Sequence, residues 1–192
     1  STNIAASSPD GITWTSRTMP STGNWAALTH GNNRFLAIRG SSTAAAISTN
    51  GTTWTATTMP VSAAWSAATY GGGQFVALAS GSSIAATSPD GVTWTQRTLS
   101  ASQNWVGVAY GGGMYVGIQG GNSVTATSSP DGITWTARSL PNPGSMSWSS
   151  IAYGTGTFVV TNGFGGNTGA ATSTNGTTWT LRTAPTNTDQ DI

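Results

Sequence analysis

The heptapeptide Ser8-Pro9-Asp10-Gly11-Ile12-Thr13-Trp14 constrains this chain more than any other feature, because it is written five times. It returns as Ser48-Thr49-Asn50-Gly51-Thr52-Thr53-Trp54, Ser88-Pro89-Asp90-Gly91-Val92-Thr93-Trp94, Ser129-Pro130-Asp131-Gly132-Ile133-Thr134-Trp135 and Ser173-Thr174-Asn175-Gly176-Thr177-Thr178-Trp179. Successive tryptophans stand 40, 40, 41 and 44 residues apart. A period near 40 means one supersecondary unit per repeat, stacked or arranged around an axis, because no single unit can bury its own apolar face.

Between these copies the chain reads as short runs of Trp, Val, Ile, Thr, Phe and Tyr bounded by Gly, Pro, Asn and Ser, which is the pattern of strands and turns. Helical periodicity is absent, since Gly or Pro interrupts nearly every window longer than about ten residues. The first unit gives a strand from Trp25, a turn at Gly31-Asn32-Asn33, a strand from Arg34, a strand at Ala44–Ile47 and then the repeated motif. The order recurs from Trp65, Trp105 and Trp148, so each unit is four antiparallel strands, a to d, with the Asp/Asn-Gly turn between c and d. That turn needs positive φ at glycine, and its Ser and Asp or Asn side chains can bond nearby amides. Asp10, Asn50, Asp90, Asp131 and Asn175 are therefore turn residues; Asn in two copies keeps the acceptor and discards the charge.

Four-stranded units of this length predict an all-β fold, a β-propeller with four-stranded antiparallel blades. The predicted domain is 1–185, with full blades 25–58, 65–98, 105–139 and 148–183 and a polar tail 186–192. A c–d hairpin at 4–18 makes a half blade, giving five blades of which one lacks its inner strands. Those inner strands are missing, leaving a partly open blade, or are supplied by another chain or by deleted sequence, since an open edge invites pairing.

The box copies resemble the Asp-box repeat of β-propellers, with one residue fewer between Asp and Gly than the commonest form. The longer pattern, Asp-Gly-x-Thr-Trp-Thr-x-Arg followed by Trp and then Tyr-Gly-Gly-Gly-x-Phe-Val, is similar to repeats in phage tail-fibre and receptor-binding proteins and in bacterial surface proteins. The resemblance spans residues 4–185. It implies a propeller with a structural box on the c–d turn and an extracellular or virion-surface location.

Composition narrows function. Charged residues are 6% of the chain, with neither lysine nor glutamate, and the net charge is +1. Phosphate backbones are held by clustered Lys and Arg, so nucleic acid is not an expected partner. No apolar run of membrane-spanning length and no signal peptide are present, so membrane insertion is not expected. There is no cysteine and one histidine, His30, which takes the place of Tyr70, Tyr110 and Tyr153 in the repeat. No metal-ligand or cofactor motif occurs, and neither metal nor cofactor is expected. Arg17, Arg97, Arg138 and Arg182 recur three residues after the box Trp, where stacking on tryptophan or bridging blades explains them better than a substrate-binding cluster. Paired carboxylates for glycoside hydrolysis are lacking, and the chain is expected not to be an enzyme.

The candidate ligand-binding residues are Trp25, Trp65, Trp105 and Trp148, which enter strand a near the axis, together with Asn24, Gln103, Asn104, Gln119, Asn122 and Asn167. Flat indoles beside amides suit sugar rings. The expected function is thus a non-enzymatic recognition module binding a cell-surface glycan or receptor. The alternative is a structural propeller that assembles, as a homo-oligomer or within a larger tail, through its half blade.

Overall fold

The computed structural model describes residues 2–141, 147–163 and 169–183. The insertions at 142–146 and 164–168, the tail 186–192 and candidate residue Asn167 lie outside them. All regular structure described is β, a propeller built from five antiparallel sheets. The first sheet has two strands, β1 (Thr2–Ser7) and β2 (Thr15–Gly23). The second comprises β3 (Trp25–Gly31), β4 (Arg34–Arg39), β5 (Ser42–Ser48) and β6 (Thr55–Ala63). The third comprises β7 (Trp65–Gly71), β8 (Gln74–Ala79), β9 (Ser82–Ser88) and β10 (Thr95–Gln103). The fourth comprises β11 (Trp105–Gly111), β12 (Met114–Gln119), β13 (Thr125–Ser129) and β14 (Thr136–Ser139). The fifth comprises β15 (Trp148–Gly154), β16 (Thr157–Asn162), β17 (Gly169–Ser173) and β18 (Thr180–Thr183). Below, the full sheets are blades one to four, and β1–β2 is the half blade, whose strands correspond to c and d.

Chain order equals strand order in every blade, so the sheets are meanders whose turns set the register. The box loop is longer than the tight hairpin expected from Asp-Gly. The d strand starts after the tryptophan, at Thr15 and not at Thr13. Its geometry is the same in all five copies. In the first, the Ser8 hydroxyl accepts the Asp10 and Gly11 amides at 3.3 and 2.8 Å. Asp10 Oδ1 accepts the Ile12 and Thr13 amides, both at 2.8 Å. Asn50 Oδ1 accepts the Thr52 and Thr53 amides at 2.9 Å, so the neutral amide does the same work as the carboxylate. The box glycines have φ between 70 and 75°, a region that side chains avoid.

Blades pack face to face through clusters that span neighbours. Trp65, Phe75, Ala77 and Ala86 of blade two close on Leu36, Ile38, Ala45 and Met59 of blade one. Trp105, Val108 and Tyr115 of blade three close on Ala67, Val76, Leu78 and Ala85 of blade two. Polar seams reinforce them, each running from the start of a b strand to the box of the next blade. Arg34 Nη1 donates to the Asp90 carbonyl at 3.0 Å, and Gln74 Nε2 to the Asp131 carbonyl at 2.6 Å. The bonds described for the box-following arginines lie within a blade and not across to its neighbour. Their Nε groups donate within the blade, Arg17 to Ser7 and Arg138 to Ser128 at 2.8 Å, Arg97 to Thr87 at 3.1 Å and Arg182 to Thr172 at 3.0 Å.

Inner strands β3, β7, β11 and β15 pack side by side in sequence, and β2 lies against β5 and β6. Among the described residues no comparable packing joins blade four to the half blade. Two glycines report the same opening: a Cβ on Gly11 or on Gly154 would meet nothing within 4 Å.

Candidate functional site

Three of the four a-strand tryptophans are enclosed. Trp65, Trp105 and Trp148 are at most 1% exposed, and the indole N–H of Trp65 donates to the Val61 carbonyl, that of Trp105 to the Ser82 carbonyl. An indole sealed between blades offers no face on which a sugar could stack, so these three do not form the ligand platform expected of them. Asn24 and Asn104 are exposed, but their backbone carbonyls accept the Gly40 and Gly120 amides and so fix the d–a junctions. Gln103 is half-buried and its carbonyl accepts the Gly81 amide. Gln119 is half-buried with an unpartnered buried Oε1, and Asn122 is exposed on the b–c connection.

The central channel is lined by residues 26–28, 66–68, 106–108 and 149–151 and encloses about 270 Å³. Its walls are Ala, Gly, Val, Leu, Ile and Ser, so they offer hydroxyl and backbone groups but no titratable side chain. The box carboxylates lie elsewhere. Asp10 is held down at about 2 by the Thr13 and Ile12 amides and the Ser8 hydroxyl, and Asp90 and Asp131 are lowered chiefly by the matching amide pairs. Carboxylates so clamped are poor proton donors near neutrality. Among the described residues no group of three or more His, Cys, Asp or Glu could hold a metal. His30 is exposed at the end of β3, its ring 4.6 Å from that of Phe35.

A second cavity, also of about 270 Å³, has a different character. It lies between β1 and the face of blade one, walled by Ile4, Ala5, Ala6, Met19, Trp25, Leu28, Ala37 and Trp54. In the full blades the strand equivalent to β1 pairs on both sides; β1 pairs with β2 alone. The side chains that front its free edge are uncovered. Ala6 is exposed, whereas its equivalents Ala46, Ala86, Thr127 and Ala171 are completely buried. Trp14 is 63% exposed and Leu28 65%, whereas Trp135 and Val108 are below 10%. The indole N–H groups of Trp25 and Trp54 are buried there without a partner. Periodicity predicted the half blade, but the groove residues Ile4, Met19 and Leu28, and the uncovered Trp14 outside the groove, were not singled out. The signal available was the repeat itself, in which the equivalents of Trp14 meet a b-strand ring and an equivalent of Leu28, Ile151, meets the a strand of the preceding blade at Gly107.

No family model and no curated protein matches the chain. Solved structures do match. Virginiamycin B lyase from Staphylococcus aureus superposes with a TM-score of 0.80 at 14% identity, over 96% of this chain and 64% of the lyase. YCF48 bound to D1 peptide gives 0.64 at 14% identity, over 90% of this chain and 58% of the other. A chain of the nidogen/laminin complex gives 0.61 at 10% identity, over 83% and 63%. The chain thus spans less than two thirds of the structures it resembles, and at such identity the likeness shows the propeller fold alone. It nevertheless corrects two expectations. The propellers that superpose on this chain include a lyase, so composition did not suffice to exclude catalysis. Neither a carbohydrate-recognition module nor its structural-assembly alternative draws support from these structures, and the burial of Trp65, Trp105 and Trp148 gives the physical reason on the carbohydrate side.

Proposed function

We propose that this propeller binds polypeptide at its central channel. What supports the reading is the channel of about 270 Å³ between the inner strands, walled by apolar side chains, serine hydroxyls and backbone groups, together with the matched structures of YCF48 bound to D1 peptide and of the nidogen/laminin complex. Hydrogen exchange with and without a panel of extended peptides tests it. Protection of amides at residues 26–28, 66–68, 106–108 and 149–151 is expected, and unchanged exchange across the panel would refute it.

A second reading is favoured by the likeness to virginiamycin B lyase, one structure of which carries quinupristin on a histidine-to-alanine variant described as catalytically inactive. In this reading the chain acts on quinupristin or a compound like it at the channel mouth. Incubation with quinupristin followed by mass spectrometry decides it, with His30→Ala as the control for the one histidine available. We further place the box loops with the Asp-box class on their Ser and Asp/Asn bonding pattern, and the protein outside the cell or on a virion surface on the resemblance of its repeats.

A further inference from the structure

Two of the five boxes place asparagine directly before glycine, a pair that can react with itself. We infer that Asn50 and Asn175 are deamidation sites gated by their own boxes, each converting to aspartate when its serine clamp opens.

The sequence supplies the reactants. Residues 48–54 and 173–179 are the same heptapeptide, Ser-Thr-Asn-Gly-Thr-Thr-Trp, so the two sites share one intrinsic reactivity. In an Asn-Gly pair the glycine nitrogen, unhindered by a side chain, attacks the asparagine Cγ. The N–Cγ bond forms, the Cγ–Nδ2 bond breaks, and ammonia leaves with the proton of the glycine nitrogen. Water then opens the resulting succinimide at one carbonyl to give aspartate, or at the other to give isoaspartate. Both asparagines are exposed, so water reaches them.

The box restrains both reactants. The Gly51 N–H donates to Ser48 Oγ at 2.8 Å, and the Gly176 N–H to Ser173 Oγ at 2.8 Å. Each serine is only 4% exposed. The imide nitrogen of a succinimide carries no proton, so this bond is lost on the way to the product. The carboxamide is held as well. Asn50 Oδ1 accepts the Thr52 and Thr53 amides at 2.9 Å and the Ser48 hydroxyl at 3.1 Å, and Asn175 Oδ1 accepts the same three donors of its own box. Three donors on one oxygen restrain the rotation that ring closure needs.

The product has its place already. Asp90 Oδ1 accepts the Val92 and Thr93 amides at 2.9 and 2.8 Å, and Ser88 Oγ accepts the Gly91 amide at 2.8 Å. An aspartate at position 50 or 175 therefore closes the same clamp. Isoaspartate lengthens the backbone inside the loop and does not. Conversion at both boxes takes the formal net charge from +1 to +1 − 2 = −1. A third Asn-Gly pair, Asn162-Gly163, begins at the last residue of β16, outside the boxes.

The full chain is incubated in mildly alkaline heavy-oxygen water, folded and in denaturing urea, and each site is quantified by peptide mass spectrometry. In urea both box asparagines should convert at the rate of the free heptapeptide, with one heavy oxygen in the product. In the folded chain they should be slower by at least about tenfold, since the loop must open first. Ser48→Ala removes the acceptor of the Gly51 proton and should speed Asn50 about two- to tenfold in the folded chain. Asn175 should keep its rate and is the matched control. Asn50→Asp should melt with the wild type. Equal rates folded and in urea overturn the gate, and no conversion in urea overturns the sites. An Asn50 rate indifferent to Ser48→Ala overturns the role of the serine, and a lower melting point for Asn50→Asp overturns the fit of the product. If Ser48→Ala unfolds the chain, both sites speed up together; Ser173→Ala then makes the same test at Asn175, with Asn50 as control and the same refuting result.

Discussion

Four glycines at one repeat position test the openness of the arc. Gly31, Gly71, Gly111 and Gly154 each end an a strand, and none has positive φ. For the first three, a Cβ would lie 1.9, 2.0 and 2.1 Å from a ring atom of Tyr70, Tyr110 and Tyr153; at Gly154 it would meet nothing within 4 Å. Relief to ordinary contact at Gly71 requires the Tyr110 ring to move by more than an ångström within a seam that also holds the hydrogen bond from the Tyr115 hydroxyl to the Gly71 carbonyl. Overpacking of this kind costs about 1–3 kcal/mol, against a gain of about 0.4–1 kcal/mol from restricting the unfolded chain. Gly31→Ala, Gly71→Ala and Gly111→Ala should each lose roughly 1–2 kcal/mol net, a fall in Tm of about 2–8 °C for a chain of this size. Gly154→Ala should be neutral or gain up to about 1 kcal/mol. Urea unfolding followed by tryptophan fluorescence measures all four, and Gly71→Ala combined with Tyr110→Ala should lose less than the two changes summed. A Gly154→Ala loss equal to that of Gly71→Ala would mean that a ring covers Gly154 as well, and the open arc would be refuted.

Three further outcomes follow from the same geometry. Trp105→Ala removes a fully buried indole and its bond to the Ser82 carbonyl, and should cost about 3–5 kcal/mol; Trp14→Ala should stay within about 0.5 kcal/mol by the same unfolding assay. The box carboxyls are lowered from 3.8, Asp10 to about 2, so their contribution is present above the unfolded value and lost as pH falls through the folded one. Urea midpoints measured down that acid range should decline in the wild type and more shallowly in Asp90→Asn/Asp131→Asn, since asparagine keeps the acceptor as Asn50 does; equal slopes would exclude the boxes as the source. Gly11→Ala pays only for its φ of 75°, about 1–2 kcal/mol, while Gly132→Ala also drives a Cβ to 2.9 Å from Gln74 and 3.1 Å from Val76 and should lose more on thermal melting.

How much could be read without coordinates depends on whether a residue's neighbour lies inside its own repeat. The box loop is local: Ser8 and Asp10 bond amides within three residues, so five copies of one heptapeptide predict five copies of one loop. Strand order is nearly as local, because each pair is joined by a short turn. The fate of the a-strand tryptophans is not, since whether an indole is sealed or offered is decided by the adjoining blade. Indoles read as a binding surface for sugars are buried in Trp65, Trp105 and Trp148 because a complete blade lies against each.

The half blade shows the limit most sharply. Residues 8–15 and 129–136 are the same octapeptide, Ser-Pro-Asp-Gly-Ile-Thr-Trp-Thr, with the same serine and aspartate hydrogen bonds to the loop amides and positive φ at glycine in both. Yet Trp135 is 8% exposed and Trp14 is 63% exposed. The difference lies in the surroundings: Tyr115, on a b strand that pairs with β13, lies 6.4 Å from Trp135, which also packs in a cluster with Val76, Leu78 and Ala85 of blade two, and neither neighbour has a counterpart at Trp14 among the described residues. Local sequence therefore fixes the shape of the motif, and the presence of a neighbouring strand fixes whether the motif closes a core or opens a groove.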